Sequence, residues 1–288
     1  MPSGYRIEAS RRLKNIAGMA LLAALAAAAL LPLFHIVAVV AANGLAALQR
    51  SGLVGFLTQP PNPLDPEHPG GIGPALAGTA MLVALATLFA TLLALPTGVF
   101  IAEFRRAGIS KLTLMLALIL VEFPTVLVGL VIYATEVMWV GHYNMLAGAL
   151  ALAIVILPYM AVQVSEALRH VPNDLREAAF SLGASRLKTV YRVLLSVARR
   201  GVLVGVLIGM AKAAGETAPL LFTIGGFFEA FPRGVLDKGG AVSLLIYEYA
   251  QQSLPGYHVL AWGAALVLLL IVFAVMALAR LLVREVRL

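Results

Sequence analysis

Apolar residues in this chain come in long unbroken runs, and the polar residues collect in the intervals between them. Runs of about 20 apolar residues are long enough, as helices, to cross a hydrocarbon core of ~30 Å. Six are predicted, at Ile16–Ala42, Gly73–Ala102, Leu112–Ala134, Met145–Val164, Gly201–Ile224 and Val259–Leu282. Pro96 is expected to kink the second near its end. Residues 43–72 differ in kind, because QPPNPLDPEHPGGIG is too rich in proline and glycine to be helical, and they are predicted to form an external loop. Residues 225–257 form a second external loop, in which AVSLLIYEYAQQSL has apolar residues at helical spacing and is expected to lie along the membrane interface.

The longest polar interval, residues 165–200, reads as two short helices. The first, VPNDLREAAFSLG, begins after Pro172 with Asn173 or Asp174 as its cap and is ended or turned by Gly183. The second, SRLKTVYRVLLSVARR, leads into the fifth run. Leu175, Ala178, Ala179 and Leu182 share a face of the first helix, which either folds back on the bundle or meets a partner surface.

Composition agrees with a lipid solvent. The 288 residues are 61% hydrophobic and 12% charged, against about 25% charged in ordinary soluble domains. The net charge of +7 does not point to nucleic acid, because the basic residues sit in short clusters between apolar runs. Of the 21 Lys and Arg, four precede the first run, three lie at 105–111, seven at 165–200 and three at 280–288. Only Arg50, Arg233 and Lys238 fall on the opposite side, so both termini are predicted to be cytoplasmic. The first run is too long for a signal peptide, whose apolar core is about 7–15 residues, and is expected to be retained. With no cysteine there are no disulfides, and the five histidines show no metal-ligand spacing.

Ionisable groups inside apolar spans carry a high desolvation cost and point to function. Three are predicted there: Glu122, Lys212 and Glu216. Lys212 and Glu216 are four apart, on one helical face, and are placed to pair. At ~1.5 Å per residue Lys212 lies ~18 Å deep and Glu122 ~17 Å deep, so these two are also expected to meet. Two readings stay open. Lys212 and one glutamate form a buried pair that fixes helix packing, or the lysine faces a water-filled path and attracts an anion whose hold the glutamate limits. A protonated phosphate donates a hydrogen bond to a carboxylate, which fully deprotonated sulfate does not. Thr217 and Thr223 would add hydroxyls, while Gly215 and Pro219 loosen the helix and expose backbone groups.

Two stretches carry a family resemblance. Glu177-Ala178-Ala179, three residues, Gly183, nine residues and then Val193-x-Leu195 resembles the EAA loop of ABC importer permeases, with Val193 and Ser196 in place of the usual isoleucine and proline. AKAAGETAPLLFT resembles the fifth-span signature A-R-x-x-G-E-T-A-P of the A-type permease subunits of phosphate (Pst) importers. The sister C-type subunits share Gly-Glu-Thr but typically lack the Ala-Pro-Leu-Leu. EFPTVLVGL, with Pro124, is similar to a proline-bearing segment of the third span in the same family. The resemblance covers roughly residues 73–288. Lys212 stands where the family usually has arginine, and loses the planar fork that suits phosphate oxygens. Glu122 stands where a small or polar residue is common.

The resemblance implies an all-α integral membrane protein of six transmembrane helices, with the type I ABC importer fold and cytoplasmic coupling helices. Residues 1–72 would be a cytoplasmic tail, first span and external loop, and 73–288 the permease domain proper. It further implies coupling to an ATPase through Glu177, Ala178, Ala179 and Gly183, and a path past Lys212, Glu216, Thr217 and Glu122 shaped by Gly215, Pro219 and Pro124. The expected assembly, in the cell membrane, holds a homologous second permease or a copy of this chain, two ATPase subunits and an extracytoplasmic phosphate-binding protein. ATP and Mg would be bound by the ATPases and no cofactor by this chain, since GASRLKT has Leu187 where a P-loop needs glycine. The alternatives are a permease for another oxyanion such as sulfate or molybdate, an ATP-independent channel or secondary transporter, and a non-transporting scaffold.

Overall fold

The computed structural model describes residues 9–284, and the side chains of residues 11–282. Arg6 and Arg287, which contribute to the predicted orientation, lie outside the described residues. The chain order is α1 (Ala9–Ser51), α2 (Leu53–Thr58), α3 (Gly73–Glu103), α4 (Gly108–Val121), α5 (Thr125–Ile132), α6 (Met145–Arg169), α7 (Asn173–Ser181), α8 (Arg186–Gly215), α9 (Val242–Ala250) and α10 (Pro255–Arg284). Among the described residues the only strand-like pairing is an isolated bridge between Pro61 and Gly70. Among the described residues five helices are long and apolar enough to span a membrane, and α4 with the segment starting at α5 makes a sixth if the bent pair is one span.

Helix α6 is the axle of the bundle and packs against α3, α4, α5 and α8. Lipid offers no hydrophobic drive between apolar helices, so close approach of small residues has to supply the contact. On α3, Ala86, Ala90, Ala94, Gly98 and Ala102 repeat every four residues on the buried face. A Cβ on Gly98 would sit 2.6 Å from the Ala161 carbonyl oxygen of α6, and one on Gly209 of α8 would sit 2.8 Å from Met160 Cγ. Helix α1 stands apart, exposed along most of its length and packed on α10 only near its end, where Gly44 and Ala47 meet that helix.

The structure corrects several predicted boundaries. α1 continues to Ser51 and α2 follows, so the irregular loop begins after Thr58 rather than at residue 43. Pro96 lies inside α3 without ending it. The third predicted span is not one helix: α4 and the segment from Thr125 meet at 96°, because Pro124 has no N–H to donate and disfavours helix at Phe123. The fifth span starts earlier and stops at Gly215, giving one helix from Arg186 with a π-helical stretch at Thr189–Leu194. The AVSLLIYEYA segment is not a surface helix. As α9 it is buried against α10 and α3, with Val242, Leu244 and Leu245 almost fully enclosed and the Val242 N–H donated to Thr79 Oγ1 at 2.8 Å.

The segment between α6 and α8 is tied down by a buried charge pair that sequence inspection did not single out. Arg176 of α7 donates to Glu103 Oε1, at the end of α3, at 3.0 Å, and their side chains are 12% and 8% exposed. The same guanidinium also serves the carbonyls of Leu168 and Val171 and the Asn173 side chain. Asn173 therefore does not cap α7, whose N-cap is Pro172 and makes no side-chain bond. At the other end Gly183 adopts φ +77, the left-handed conformation that suits glycine, and the Gly183 and Ala184 N–H groups return to the carbonyls of Phe180 and Ala179. Removing one partner leaves a buried charge unpaired. Arg176→Ala is thus expected to destabilise the protein by about 3–5 kcal/mol, read as a lower unfolding midpoint of the detergent-solubilised chain, whereas an unchanged midpoint would show the pair to be dispensable.

Candidate functional site

Two interrupted helices meet beside α6. In the first, α4 ends at Val121 and α5 begins at Thr125. In the second, α8 ends at Gly215, Glu216 turns extended at ψ 137, and Pro219 starts a short 3-10 turn, Leu220–Phe222. They approach closely at Gly129 and Pro219, where a Cβ on the glycine would lie 2.7 Å from Pro219 Cα.

The ion pair expected at i and i+4 is present: Lys212 Nζ donates to Glu216 Oε1 at 2.5 Å, the side chains 33% and 11% exposed. The second Glu216 oxygen accepts from Thr125 Oγ1 at 3.3 Å. The Lys212 ammonium also lies 5.4 Å from the ring centre of Tyr159, within cation–π range. Tyr159 in turn donates its hydroxyl to the Val121 carbonyl at 3.0 Å, joining α6 to the break between α4 and α5. On the far side Ser243 of α9 donates to the Glu216 carbonyl at 2.6 Å.

The expected meeting of Lys212 with Glu122 is not found. Glu122 ends α4 on the exposed side of the bend, and the charge partner of Lys212 among the described residues is Glu216. Thr223 is also corrected. It is fully buried, and its hydroxyl is donated to the Pro219 carbonyl at 3.0 Å, so it stabilises the turn instead of lining a path. Thr217 is half-buried beside Glu216, and Gly215 is exposed with open space around it. Pro124 lies at the break in the third span and Pro219, buried, at the break in the fifth.

Tyr159, Thr125 and Ser243 were missed as site residues. A tyrosine after Pro158 inside an apolar run, and a threonine after Pro124, are the signals that would have found two of them. Ser243 carries no local signal, since its role depends on where α9 packs. Glu136 is a further carboxylate near the far end of the bent span, and both of its oxygens accept from Asn144 at 3.2 Å. Among the described residues no group of three or more His, Asp or Glu is placed to hold a metal ion.

In the coupling segment the residues of the EAA pattern separate. Glu177 and Ala178 are exposed, whereas Ala179 is buried against the bundle. Leu182, 88% exposed, extends the Ala178 face outward, and Leu187 of α8 is exposed nearby in the chain. An apolar helix face held outside the bundle, followed by a long helix that ends at a charged break, sits here on the fold of a type I ABC importer permease. A chain of the MetNI methionine ABC transporter in an inward-facing conformation has this fold, with a TM-score of 0.61 at 19% identity over 75% of this chain and 96% of that one. The chain belongs to the family described as the binding-protein-dependent transport system inner membrane component, whose model matches residues 94–288. It is 43% identical over 92% of both chains to a probable phosphate transport system permease protein, PstA, of Methanocaldococcus jannaschii. It is 37% identical to the PstA phosphate permease of Pasteurella multocida, over 76% of this chain and 79% of that one.

The contact at Gly129 gives a test of the two-break geometry. Gly129→Ala should force α5 away from Pro219 and destabilise the protein by about 1–3 kcal/mol, while Gly108→Ala, with nothing within 4 Å of its Cβ, should leave the unfolding midpoint unchanged. Equal midpoints for both variants would show that the crossing is looser than described.

Proposed function

We propose that this chain is the membrane permease subunit of an ATP-driven phosphate importer. The observation that carries the reading is the 43% identity, across 92% of both chains, to a protein named as a phosphate permease. The charged break supports it chemically. Lys212 supplies a positive charge that is one-third exposed, and Glu216 supplies an acceptor for the proton that phosphate, unlike sulfate, carries near neutral pH. Thr125 and Thr217 stand beside it, and Glu122 lies on the exposed side of the adjoining bend. The anion would compete with Glu216 for the lysine, so it would be attracted without being trapped.

Movement reaches this site along α8. From Arg186 to Lys212 the helix covers ~39 Å at ~1.5 Å per residue, so a tilt imposed at the coupling segment displaces the ion pair as part of one rigid body. The driver would be a pair of ATPase subunits, binding ATP and Mg, seated on the exposed face of Ala178 and Leu182 with Glu177 at its edge. Ala179 and Gly183 hold that face in place. A second permease, homologous or identical, would complete the path, and an extracytoplasmic phosphate-binding protein would deliver the cargo. Both termini then lie in the cytoplasm, as the distribution of Lys and Arg supports.

The assembled transporter in proteoliposomes should take up labelled phosphate in the presence of ATP and binding protein, and excess sulfate or molybdate should not compete. Lys212→Ala and Glu177→Lys should each lower uptake about tenfold or more, the first by loss of a charge-assisted contact and the second by loss of coupling, with Lys212→Arg retaining transport. Uptake blocked by a competing oxyanion, or intact in Lys212→Ala, would refute the assignment of cargo or of path.

A further inference from the structure

On the side of α7 that faces the bundle lies a cavity of about 540 Å³. Its lining includes Glu103 and Arg105 at the end of α3, Asn173, Arg176 and Phe180 of α7, and Arg186 at the start of α8. Asn173, Arg176 and Phe180 share one face of α7 at three- and four-residue spacing, and Ala178 and Leu182 occupy the opposite one. The cavity is therefore separate from the face assigned to the ATPase.

Its charge is unbalanced. Three guanidinium groups surround a single carboxylate, Glu103, which is already held by Arg176. Arg105 has one described hydrogen bond, from Nε to the Ala102 carbonyl at 3.1 Å. Arg186 has one, from Nη2 to the Glu103 carbonyl at 2.9 Å, and its guanidinium lies 4.1 Å from the centre of the Phe104 ring. A guanidinium carries five N–H donors in a planar fork that matches phosphate oxygens. The start of α7 adds a second, independent positive contribution. It has no side-chain cap, and Asn173, its first residue, is part of the lining, so the partial positive charge of a helix N-terminus borders the same space.

We propose that this cavity binds a phosphate-class anion, either free inorganic phosphate or the phosphate of an anionic lipid headgroup, held between Arg105 and Arg186. Such an anion bridges the turn after α3 to the start of α8 and so pins the coupling segment to the bundle on the side opposite its partner. Arg176 keeps its buried pair with Glu103 in either state. The site is independent of what the transporter carries, because none of its residues belongs to the charged break in the membrane.

The test uses the full-length chain in lipid nanodiscs and the paired substitution Arg105→Gln with Arg186→Gln, which leaves Arg176 intact. An unfolding midpoint equal to that of the unsubstituted chain establishes that the variant is folded. In phosphatidylcholine nanodiscs, labelled phosphate should bind saturably, and the paired substitution should weaken binding by about tenfold or more through loss of two charge-assisted contacts. The same binding should persist in Lys212→Ala, which separates this cavity from the transport site. If free phosphate does not bind, native mass spectrometry of the chain in mixed nanodiscs should show phosphatidylglycerol retained by the unsubstituted chain and lost from the variant, which identifies the headgroup as the ligand. Phosphate binding and phosphatidylglycerol retention both equal in variant and unsubstituted chain would overturn the proposal.

Discussion

A helix that stops inside a membrane leaves carbonyl groups that lipid cannot satisfy, and this molecule contains two such stops in contact with each other. Three carbonyls at these breaks accept a side-chain hydroxyl. Tyr159 takes that of Val121, Ser243 takes that of Glu216, and Thr223 takes that of Pro219. Two of these donors come from distant parts of the chain, α6 and α9, and the third from the turn after α8 itself. The burial of α9, which would otherwise be a surface helix, follows from the same demand. Its N-terminus is held by Thr79 of α3 while its serine serves the break.

A charged site results from this arrangement almost as a consequence. Once Gly215 ends α8, Glu216 leaves helical geometry but stays within reach of Lys212 one turn back. Its second oxygen then meets Thr125 at the start of α5. The two breaks are thereby joined through a carboxylate, so a shift of α8 is felt by α5. Gly129 and Pro219, at van der Waals limits, transmit the same movement sterically.

The end of the bundle where α3 meets α7 obeys a different rule. The charges of Glu103 and Arg176 are buried there and satisfied by each other and by carbonyls. A buried pair of this kind is weak as a source of net stability but strong as a register device, since only one arrangement satisfies both groups. It sets α7 relative to α3, while Leu182 at the end of that helix stays exposed.

The number of spans, their order and the sign of each loop were legible in the sequence because hydrophobic run length and basic-residue placement are one-dimensional properties. Gly183 as a helix stop and the Lys212–Glu216 pair were legible for the same reason, as each depends on residues within about one helical turn of one another. The EAA pattern singled out the segment, yet not that Ala179 would turn inward while Ala178 stayed out. What tertiary structure alone decided were the long-range contacts: Arg176 with Glu103, Tyr159 with Val121, Ser243 with Glu216, and the exposed placement of Glu122 instead of its pairing with Lys212. Depth counted along straight helices put Glu122 and Lys212 at one level, but a 96° bend at Pro124 removed the straight helix on which that count rested. Local periodicity determines which residues share a helix face, and only packing determines which faces meet.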